Sequence, residues 1–252
     1  MAARTPVRIA YGNLVTPNAT VTASSSATLF PVSLASIDFR GQRWRSTNDV
    51  SEYIQTTWST AQTYNCMAIL DHSLATSGTV ELRGSNNNWS SFDTVVASVA
   101  VTLDPAIYFF ASQSHSSIRA YFTDPSSTVG YIELGRLFIG TYVQPTRNYF
   151  HGWHRSKKST STVRYSLNQV PHFDRKPQRR EPFLPFTNVT EADRDLISAL
   201  VDEVDIVDPF LVVTDLDNEP ADIDYVRLAQ LPEQPNILHQ RYAHTLQLVE
   251  AI

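Results

Sequence analysis

The stretch Tyr131–Gly140, YIELGRLFIG, decides how the fold of this chain is read. Its apolar residues alternate with Glu133 and Arg136, a pattern typical of a β-strand that faces a core. The alternation slips at Leu134–Gly135, and a glycine inside a strand usually marks a bulge or a close approach of another backbone. The stretch therefore predicts the closing strand of a β-domain.

Short runs rich in Val, Ile, Thr and aromatic residues fill positions 19–143 and are separated by Ser, Asn, Gly and Pro clusters. Such spacing is typical of an antiparallel β-sandwich of the jelly-roll kind. The predicted strands are Ala19–Ser24, Tyr53–Thr57, Asn65–Asp71, Thr79–Gly84, Val95–Leu103, Ile107–Gln113, Ser117–Thr123 and Tyr131–Ile139. Residues 1–18 are predicted to be a lead-in with a short strand at Val7–Tyr11.

The sequence changes character after residue 143. Residues 144–180 are polar, basic and aromatic, and we interpret them as a connecting tract. Strands are predicted at Thr162–Leu167 within the tract and at Arg179–Phe186, which continues beyond its end. Residues 181–252 predict a small acidic α+β domain with one helix. Strands are predicted at Phe210–Thr214 and Tyr225–Ala229, and an extended run through His239–Leu248.

The helix has clear end signals. Thr190 is the predicted N-cap with Asp193 at the third helical position, and Pro209 is predicted to end the helix. The apolar face is predicted to comprise Ala192, Leu196, Ala199, Leu200 and Val204.

Charge is distributed unevenly along the chain. The net charge is −5, yet residues 147–180 carry +8 and residues 181–252 carry −12. Two outcomes follow: the blocks neutralise one another within one fold, or they meet complementary blocks on identical neighbours. We expect no nucleic-acid binding, because the acidic block would repel phosphate.

Other function classes receive little support. No apolar run approaches a membrane span, and the first residues, MAARTPVRIA, lack the apolar core of a signal peptide. The single Cys66 is predicted to be a buried, inert thiol. No catalytic motif occurs, so we expect no enzyme, cofactor or metal, and His151 and His154 have the wrong spacing for ligands on one helical face. The acidic tract Asp215–Asp224 is interpreted as a solvated loop, with a weak divalent-cation site as the alternative.

One loop set could bind a sugar. Trp89 could stack on a saccharide, and Asn87 in the run Asn86–Asn88 could supply hydrogen bonds, with Gln113–Ser116 nearby. The alternative for the Asn run is a simple turn. Trp58 and Tyr108 could also stack, but a core position is favoured for both.

Several segments resemble discoidin-type, galactose-binding-like domains. The similarity lies in Ala19–Ser25 with Trp44–Thr47, in Asn65–Ser73 with Thr79–Gly84, and in Ile118–Asp124 with Tyr131–Gly140. It implies a sandwich into which Trp44 packs. More narrowly, the chain resembles tail-tip proteins of long-tailed bacteriophages, of the distal-tail or baseplate-hub kind, in which an Arg-rich stretch and a smaller α+β region follow such a sandwich.

That resemblance implies a structural subunit of the virion tail, made in the host cytoplasm. We expect it to form a homo-oligomeric ring that joins the tail tube to distal hub or fibre proteins. The alternative is a carbohydrate-binding module that contributes to recognition of a host-surface glycan.

The basic tract is predicted to carry the assembly interface. It has six Arg and three Lys between residues 147 and 180, interleaved with aromatics, and Arg and aromatic residues are enriched at interface anchors. The predicted interface residues are Arg147, Tyr149, Trp153, Arg155, Arg164, Arg179 and Arg180. Of these, Arg155, Arg179 and Arg180 are expected to meet carboxylates of a neighbouring subunit. The alternative is a mobile basic loop between two domains.

Overall fold

The computed structural model describes residues 6–16, 18–101, 104–150, 152–166, 168–215, 222–233, 235–238 and 241–251. In chain order the strands are β1 Arg8–Tyr11, β2 Thr20–Ala23, β3 Trp44–Arg45, β4 Glu52–His72, β5 Thr79–Ser85, β6 Asp93–Ala100, β7 Ala106–Thr123, β8 Glu133–Val143, β9 His154–Ser159, β10 Thr162–Tyr165, β11 Pro171–Asp174, β12 Gln178–Val189, β13 Phe210–Val213, β14 Ile223–Leu228, β15 Asn236–Leu238 and β16 Arg241–Glu250. A 3-10 helix spans Val32–Ser36, and the α-helix α1 spans Glu191–Val204. No helix in the described residues is long and apolar enough to cross a membrane.

The chain forms two compact units. The sandwich unit comprises Ile9–Val143 with Asp215–Ile223, and the C-terminal unit comprises Gln144–Thr214 and Asp224–Ala251 together with the residues before Ile9. The predicted antiparallel β-sandwich followed by a smaller α+β part with one clear helix is confirmed in the described residues. Residues 144–180 fold within the C-terminal unit, in strands β9 to β12.

Strands of the sandwich unit lie in the order β6-β5-β7-β4-β8-β1, with β2 on β4 and β3 on β8. The four strands predicted at Tyr53–Thr57, Asn65–Asp71, Ile107–Gln113 and Ser117–Thr123 were wrong as separate elements, because they are the halves of β4 and β7. Register shifts between Thr57 and Gln62 and between Tyr64 and Cys66 interrupt the pairing of these long strands. Such bulges bend a strand. The first half of β4 therefore pairs with β2 and the second half with β8.

The core of the sandwich unit is closed by β8, whose residues from Leu134 to Gly140 are all buried. Trp44 is fully buried, as the resemblance implied, and its indole N–H donates to the carbonyl oxygen of Ser25 at 3.1 Å. Arg136 is also buried, and its guanidinium lies 2.9 Å from the Asp38 carboxylate. Burying the Arg136 charge is tolerable because it is paired.

Gly135 is a point of close backbone approach. A Cβ at Gly135 would lie 2.9 Å from both the carbonyl oxygen of Arg40 and the Cβ of Asp71. The pairing of β8 with β4 runs through this position without a shift. Of the two sequence-based alternatives, the structure therefore shows the close approach and not the bulge.

In the C-terminal unit the strand order is β13-β14-β16-β12-β9, and α1 packs against β16. The predicted N-cap is confirmed, since the Thr190 hydroxyl accepts a hydrogen bond from the backbone N–H of Asp193 at 3.2 Å. The predicted end at Pro209 was wrong, because the helix ends at Val204 and Asp205 takes a positive φ of 47°. A left-handed residue at that position ends the helix without a proline.

The predicted buried face of α1 was only half right. The buried residues are Asp193, Ile197, Leu200, Val201 and Val204. Ala192, Leu196 and Ala199, which were predicted to join them, are exposed. The helix therefore carries a second, outward apolar stripe that no described residue covers.

Candidate functional site

The two segments proposed as sugar-binding loops are joined by one side chain. The Asn86 amide donates to the carbonyl oxygen of Ser114 at 3.0 Å and accepts from the backbone N–H of Ser116 at 2.7 Å. Gln113–Ser116 was wrongly described as a loop, because it lies within β7, where the strand is bulged. The two segments do meet, as the sequence analysis assumed.

Asn87 holds the shape of its turn. Its side-chain oxygen accepts from the backbone N–H of Ser91 and from the Ser85 hydroxyl, both at 3.0 Å, and its amide donates to the Ser91 hydroxyl at 2.6 Å. These bonds occupy most of the capacity of the amide. The arrangement agrees with the turn alternative, and a sugar contact by Asn87 stays a prediction.

Trp89 is part of a stack on the outer face of the sheet. The guanidinium of Arg119 lies 4.0 Å from the centroid of the Trp89 ring and 4.8 Å from that of Tyr53. The Arg119 Nε also donates to the Gln55 side chain at 2.7 Å. Arg119 thus occupies one face of the indole that the sugar-binding prediction requires.

A second arginine extends this stack. The guanidinium of Arg83 lies 4.5 Å from the Tyr121 ring and 4.7 Å from the Phe92 ring, and Tyr121 packs on Tyr53 with centroids 5.4 Å apart. The bidentate pair of Arg83 with Glu81 raises the pKa of the guanidinium. We call the set Tyr53, Arg83, Trp89, Phe92, Arg119 and Tyr121 the sheet-face stack.

Beneath the loop a hydrogen-bonded chain runs from two buried residues, Tyr64 and His115, to the exposed Asp93. His115 connects the Tyr64 hydroxyl, 2.9 Å from Nδ1, to the Asp93 carboxylate, 3.0 Å from Nε2. Burial raises the pKa of Tyr64. A Cβ at Gly84 would lie 2.3 Å from the His115 ring, so only glycine fits there. The chain anchors the loop to the core.

An open cleft of about 540 Å³ lies elsewhere in the sandwich unit, beside the start of β8. Its lining residues are Leu29, Phe30, Pro31, Leu34, Gly41, Gln42, Arg43 and Glu133. The apolar residues come from the segment that enters the 3-10 helix, and the polar ones from the turn before β3 and from β8. The cleft is therefore lined by both apolar and polar side chains.

Glu133 is held in a fixed orientation. Arg45 binds its Oε1 through Nε at 2.8 Å and through a second, shorter bond, and Arg43 lies 3.4 Å from Oε2. The Arg45 guanidinium is itself sandwiched between Phe30 and Tyr131, at 4.1 Å and 4.2 Å from their ring centroids. Two stacked rings and an ion pair thus position the carboxylate at the cleft.

Sequence reasoning missed this cleft. Glu133 was noted only for the alternation of its strand, and the segment around Trp44 only for packing. The available signal was the pair of arginines that flank a buried tryptophan, since Arg43 and Arg45 both project toward one carboxylate. Their partner lies about ninety residues along the chain, a pairing that one sequence does not reveal.

The tract predicted as an interface is partly engaged within the chain. Arg155 and Arg180 lie 2.8 Å and 3.3 Å from the carboxylate of Asp224, and Arg180 is also 3.7 Å from Glu250. Burial raises the pKa of Asp224, and the two guanidinium groups oppose that rise. Of the two outcomes expected for the charge blocks, neutralisation within one fold therefore occurs at these two arginines.

The other predicted interface residues are more open. Arg147, Arg164 and Arg179 are exposed, whereas Tyr149 and Trp153 are half-buried and pack edge to face with centroids 5.3 Å apart. Whether these side chains contact a neighbouring subunit stays a prediction.

The remaining histidines and acidic residues form no metal centre in the described part of the chain. His151 and residues 216–221 of the acidic tract lie outside the described residues, so the cation-site alternative lies outside them too. Cys66 is buried, and burial raises the pKa of its thiol to about 12. A thiol with that pKa is protonated and inert at neutral pH.

Comparisons with known proteins add a fold-level likeness. No protein-family model matches the chain, and no curated protein matches it. A chitosan-binding module from a chitosanase/glucanase of Paenibacillus sp. IK-5 is similar in two structures. One, of a mutant form, has 19% identity and a TM-score of 0.46, over 52% of this chain and 99% of its own. The other has 21% identity and a TM-score of 0.45, over 51% of this chain and 98% of its own. A family 32 module of NanJ from Clostridium perfringens, solved with galactose, has 16% identity and a TM-score of 0.42, over 54% of this chain and 99% of its own. At these low scores and identities, the fold assignment rests on the strand pairing of the chain itself.

Proposed function

We propose that the sandwich unit is a carbohydrate-binding module whose ligand occupies the cleft beside Glu133. The observation that carries the proposal is the pairing of an apolar wall with a fixed carboxylate and a guanidinium in one open cleft. Its volume of about 540 Å³ lies within the range of small-ligand sites.

The chemistry of the lining suits a sugar. The apolar C–H face of a pyranose packs against an apolar wall such as Leu29–Pro31, while its hydroxyls need donors and acceptors together. Arg43 and Gln42 supply donors, and Glu133 supplies an acceptor held in place by Arg45. Glu133 is the only carboxylate among the described lining residues, whereas most glycoside hydrolysis uses two. The arrangement suits binding rather than bond cleavage.

Calorimetric titration of the full chain with neutral oligosaccharides tests this proposal. Glu133→Gln should weaken binding about tenfold, since one charge-assisted hydrogen bond to a hydroxyl contributes about 1.5 kcal/mol. Trp89→Ala is the matched control, because it removes the residue predicted from sequence and leaves the cleft intact. If Trp89→Ala abolishes binding and Glu133→Gln does not, the ligand lies at the Asn87–Trp89 loop. If no sugar binds at millimolar concentration, the proposal is wrong.

A second candidate function is the one that the sequence favoured: a structural subunit of a bacteriophage tail tip. The supporting observation is that residues 154–180 fold into hairpins that display exposed aromatic and basic side chains. Expected partners are copies of the same chain, the tail tube, and hub or fibre proteins. Immuno-electron microscopy of virions tests it, and the absence of label at the tail tip would remove this candidate.

A further inference from the structure

The hairpin of β10 and β11 stands apart from the other sheets. In the described residues its two strands pair only with each other, and all eight of their residues are exposed. A two-stranded hairpin is marginally stable by itself in water. We call residues 162–174 the arm.

One face of the arm is apolar. Val163 lies opposite Phe173 and Tyr165 lies opposite Pro171, so these four side chains share a face. Phe173 is 74% exposed and Tyr165 71% exposed. Large aromatic residues that are both clustered and exposed mark an interaction surface.

Two arginines lie near the ends of this face. Arg175 follows β11 two residues after Phe173, whereas Arg164 pairs with His172, so that its side chain belongs to the other face of the hairpin. Neither has an ion-pair partner among the described residues, whereas Lys176 is 3.4 Å from Asp174. Arginines next to exposed aromatics are the combination that interfaces use as anchors.

The outward stripe of α1 is the chemical complement of the arm. Ala192, Leu196 and Ala199 follow the spacing of one helical face, and Ile206 and Val207 continue the apolar surface just past its end. Leu196 is 41%, Ile206 51% and Val207 63% exposed. Glu203 lies in line with the stripe, one turn after Ala199, and Asp202 lies to one side of it. Neither has an ion-pair partner in the described part of the chain.

We propose that the arm of one copy docks on the outward stripe of α1 of a second copy. Apolar side chains meet apolar side chains, and Arg175 meets Asp202 and Glu203. The contact that we propose is head-to-tail, so that each copy keeps one free surface for a further neighbour. The other geometry that two different surfaces allow is a two-fold dimer in which each arm lies on the stripe of the other copy. The head-to-tail contact closes into a ring or continues as a chain.

This contact is independent of sugar binding. The contact would give a structural basis for the assembly role in the second candidate function. It rests on that proposed function only for the statement that the assembly is part of a virion. Association of the purified chain tests the contact, and virion labelling tests the tail assignment, so either can fail without the other.

Sedimentation velocity of the full chain, over a wide concentration range, tests the contact. We expect concentration-dependent association that weakens at high salt, because charged pairs at the rim are screened. Tyr165→Ser with Phe173→Ser should weaken association about a hundredfold or more, since central aromatics carry most interface energy. Leu231→Ser, which removes another exposed apolar side chain of the same unit, should leave association unchanged.

A mixing experiment tests whether the arm of one copy binds the stripe of another. The arm variant and a stripe variant, Leu196→Ser with Asp202→Lys, should each be monomeric alone. Mixed together they should form heterodimers and nothing larger, because only one intact arm and one intact stripe remain.

Charge reversal provides a test that does not depend on the arm's aromatics. Arg175→Glu should weaken association, and Asp202→Lys with Glu203→Lys should restore it when the two proteins are mixed. A wild-type chain that is monomeric at every concentration overturns the proposal, as does full association of the arm variant. Failure of both mixtures to associate also overturns it.

Discussion

The sheet-face stack and the arm contain the same kinds of residue and do opposite things with them. In the stack, Arg83 and Arg119 each lie against two aromatic rings. Arg83 also binds Glu81 of its own strand, and Arg119 binds Gln55 of the neighbouring strand. In the arm, Arg164 has no ion-pair partner among the described residues, and Tyr165 and Phe173 face solvent. An Arg-aromatic cluster is therefore an interaction surface only where the fold leaves its partners unfilled.

The largest difference in stability should appear when one aromatic side chain is removed from the sandwich unit and another from the arm. Trp44→Ala should destabilise the sandwich unit by about 3–5 kcal/mol, because it empties a fully buried site and removes a hydrogen bond to Ser25. Tyr165→Ala should change stability by less than about 0.5 kcal/mol, since that side chain is exposed. Urea unfolding followed by circular dichroism measures both. A large loss for Tyr165→Ala would show that the arm is packed in solution.

Arg155 sharpens the comparison within the basic tract. Arg155→Ala should cost about 2 kcal/mol, because it leaves the buried carboxylate of Asp224 with only Arg180. If Arg155 and Trp153 served assembly alone, removing them would leave melting nearly unchanged. The structure leads us to expect lower melting of the C-terminal unit, which calorimetry measures. Arg179→Ala is the exposed control, and equal losses for the two variants would contradict this interpretation.

A smaller difference should separate the arginines of the stack and the arm. Arg119→Ala should cost about 1–2 kcal/mol through its lost contacts with Trp89, Tyr53 and Gln55. Arg164→Ala should be neutral within about 0.5 kcal/mol. Chemical denaturation of the paired variants distinguishes the two settings. If neither substitution changes the stability, the contacts of Arg119 in the stack do not stabilise the fold.

The smallest expected effect concerns pH and two buried histidines. Both ring nitrogens of His115 are hydrogen-bonded, whereas neither ring nitrogen of His244 has a partner among the described residues. Burial, aided by the charge of Arg194, lowers the pKa of His244 below its ordinary 6.5. The unfolded chain takes up this proton first as the pH falls. Neutral His244 therefore makes its full contribution to the free energy of unfolding above pH 6.5. That contribution is lost as the pH falls below 6.5, towards the lowered pKa of the folded chain.

Denaturation midpoints measured from pH 5 to pH 8 report this loss, because that range spans the ordinary histidine pKa of 6.5. His244→Gln should flatten the dependence in this window. An unchanged slope in that variant would assign the pH response to other groups.

Local patterns predicted most strands and the start of α1, because alternation and capping are properties of neighbouring residues. They failed where a choice depends on distant contacts. α1 has two apolar stripes, and the contact of α1 with β16 buries the one containing Ile197 and Val201 while leaving Leu196 exposed. In the same way Tyr53–Thr57 and Asn65–Asp71 join into β4 because bulges, which the sequence does not mark, carry the strand through the polar residues between them.

The candidate site divides along the same line. The turn at Asn86–Asn88 was predictable from its residue types, and its contact with residues 114 and 116 joins parts of the chain that are about thirty residues apart. The cleft joins a segment near Phe30 to Glu133 through Arg45, and its parts are polar and apolar residues without any motif. Only the folded chain brings them together.

The isolation of the arm also determines how the chain meets a protease. A hairpin of marginal stability opens often, and an opened segment takes the extended form that proteases cleave, here with trypsin sites at Arg164 and Arg175. β9 and β12 remain paired on either side, from Ser159 with Gln178 to His154 with Phe183. A chain nicked in the arm therefore keeps its fold, and its rate of nicking reports how often the arm is covered.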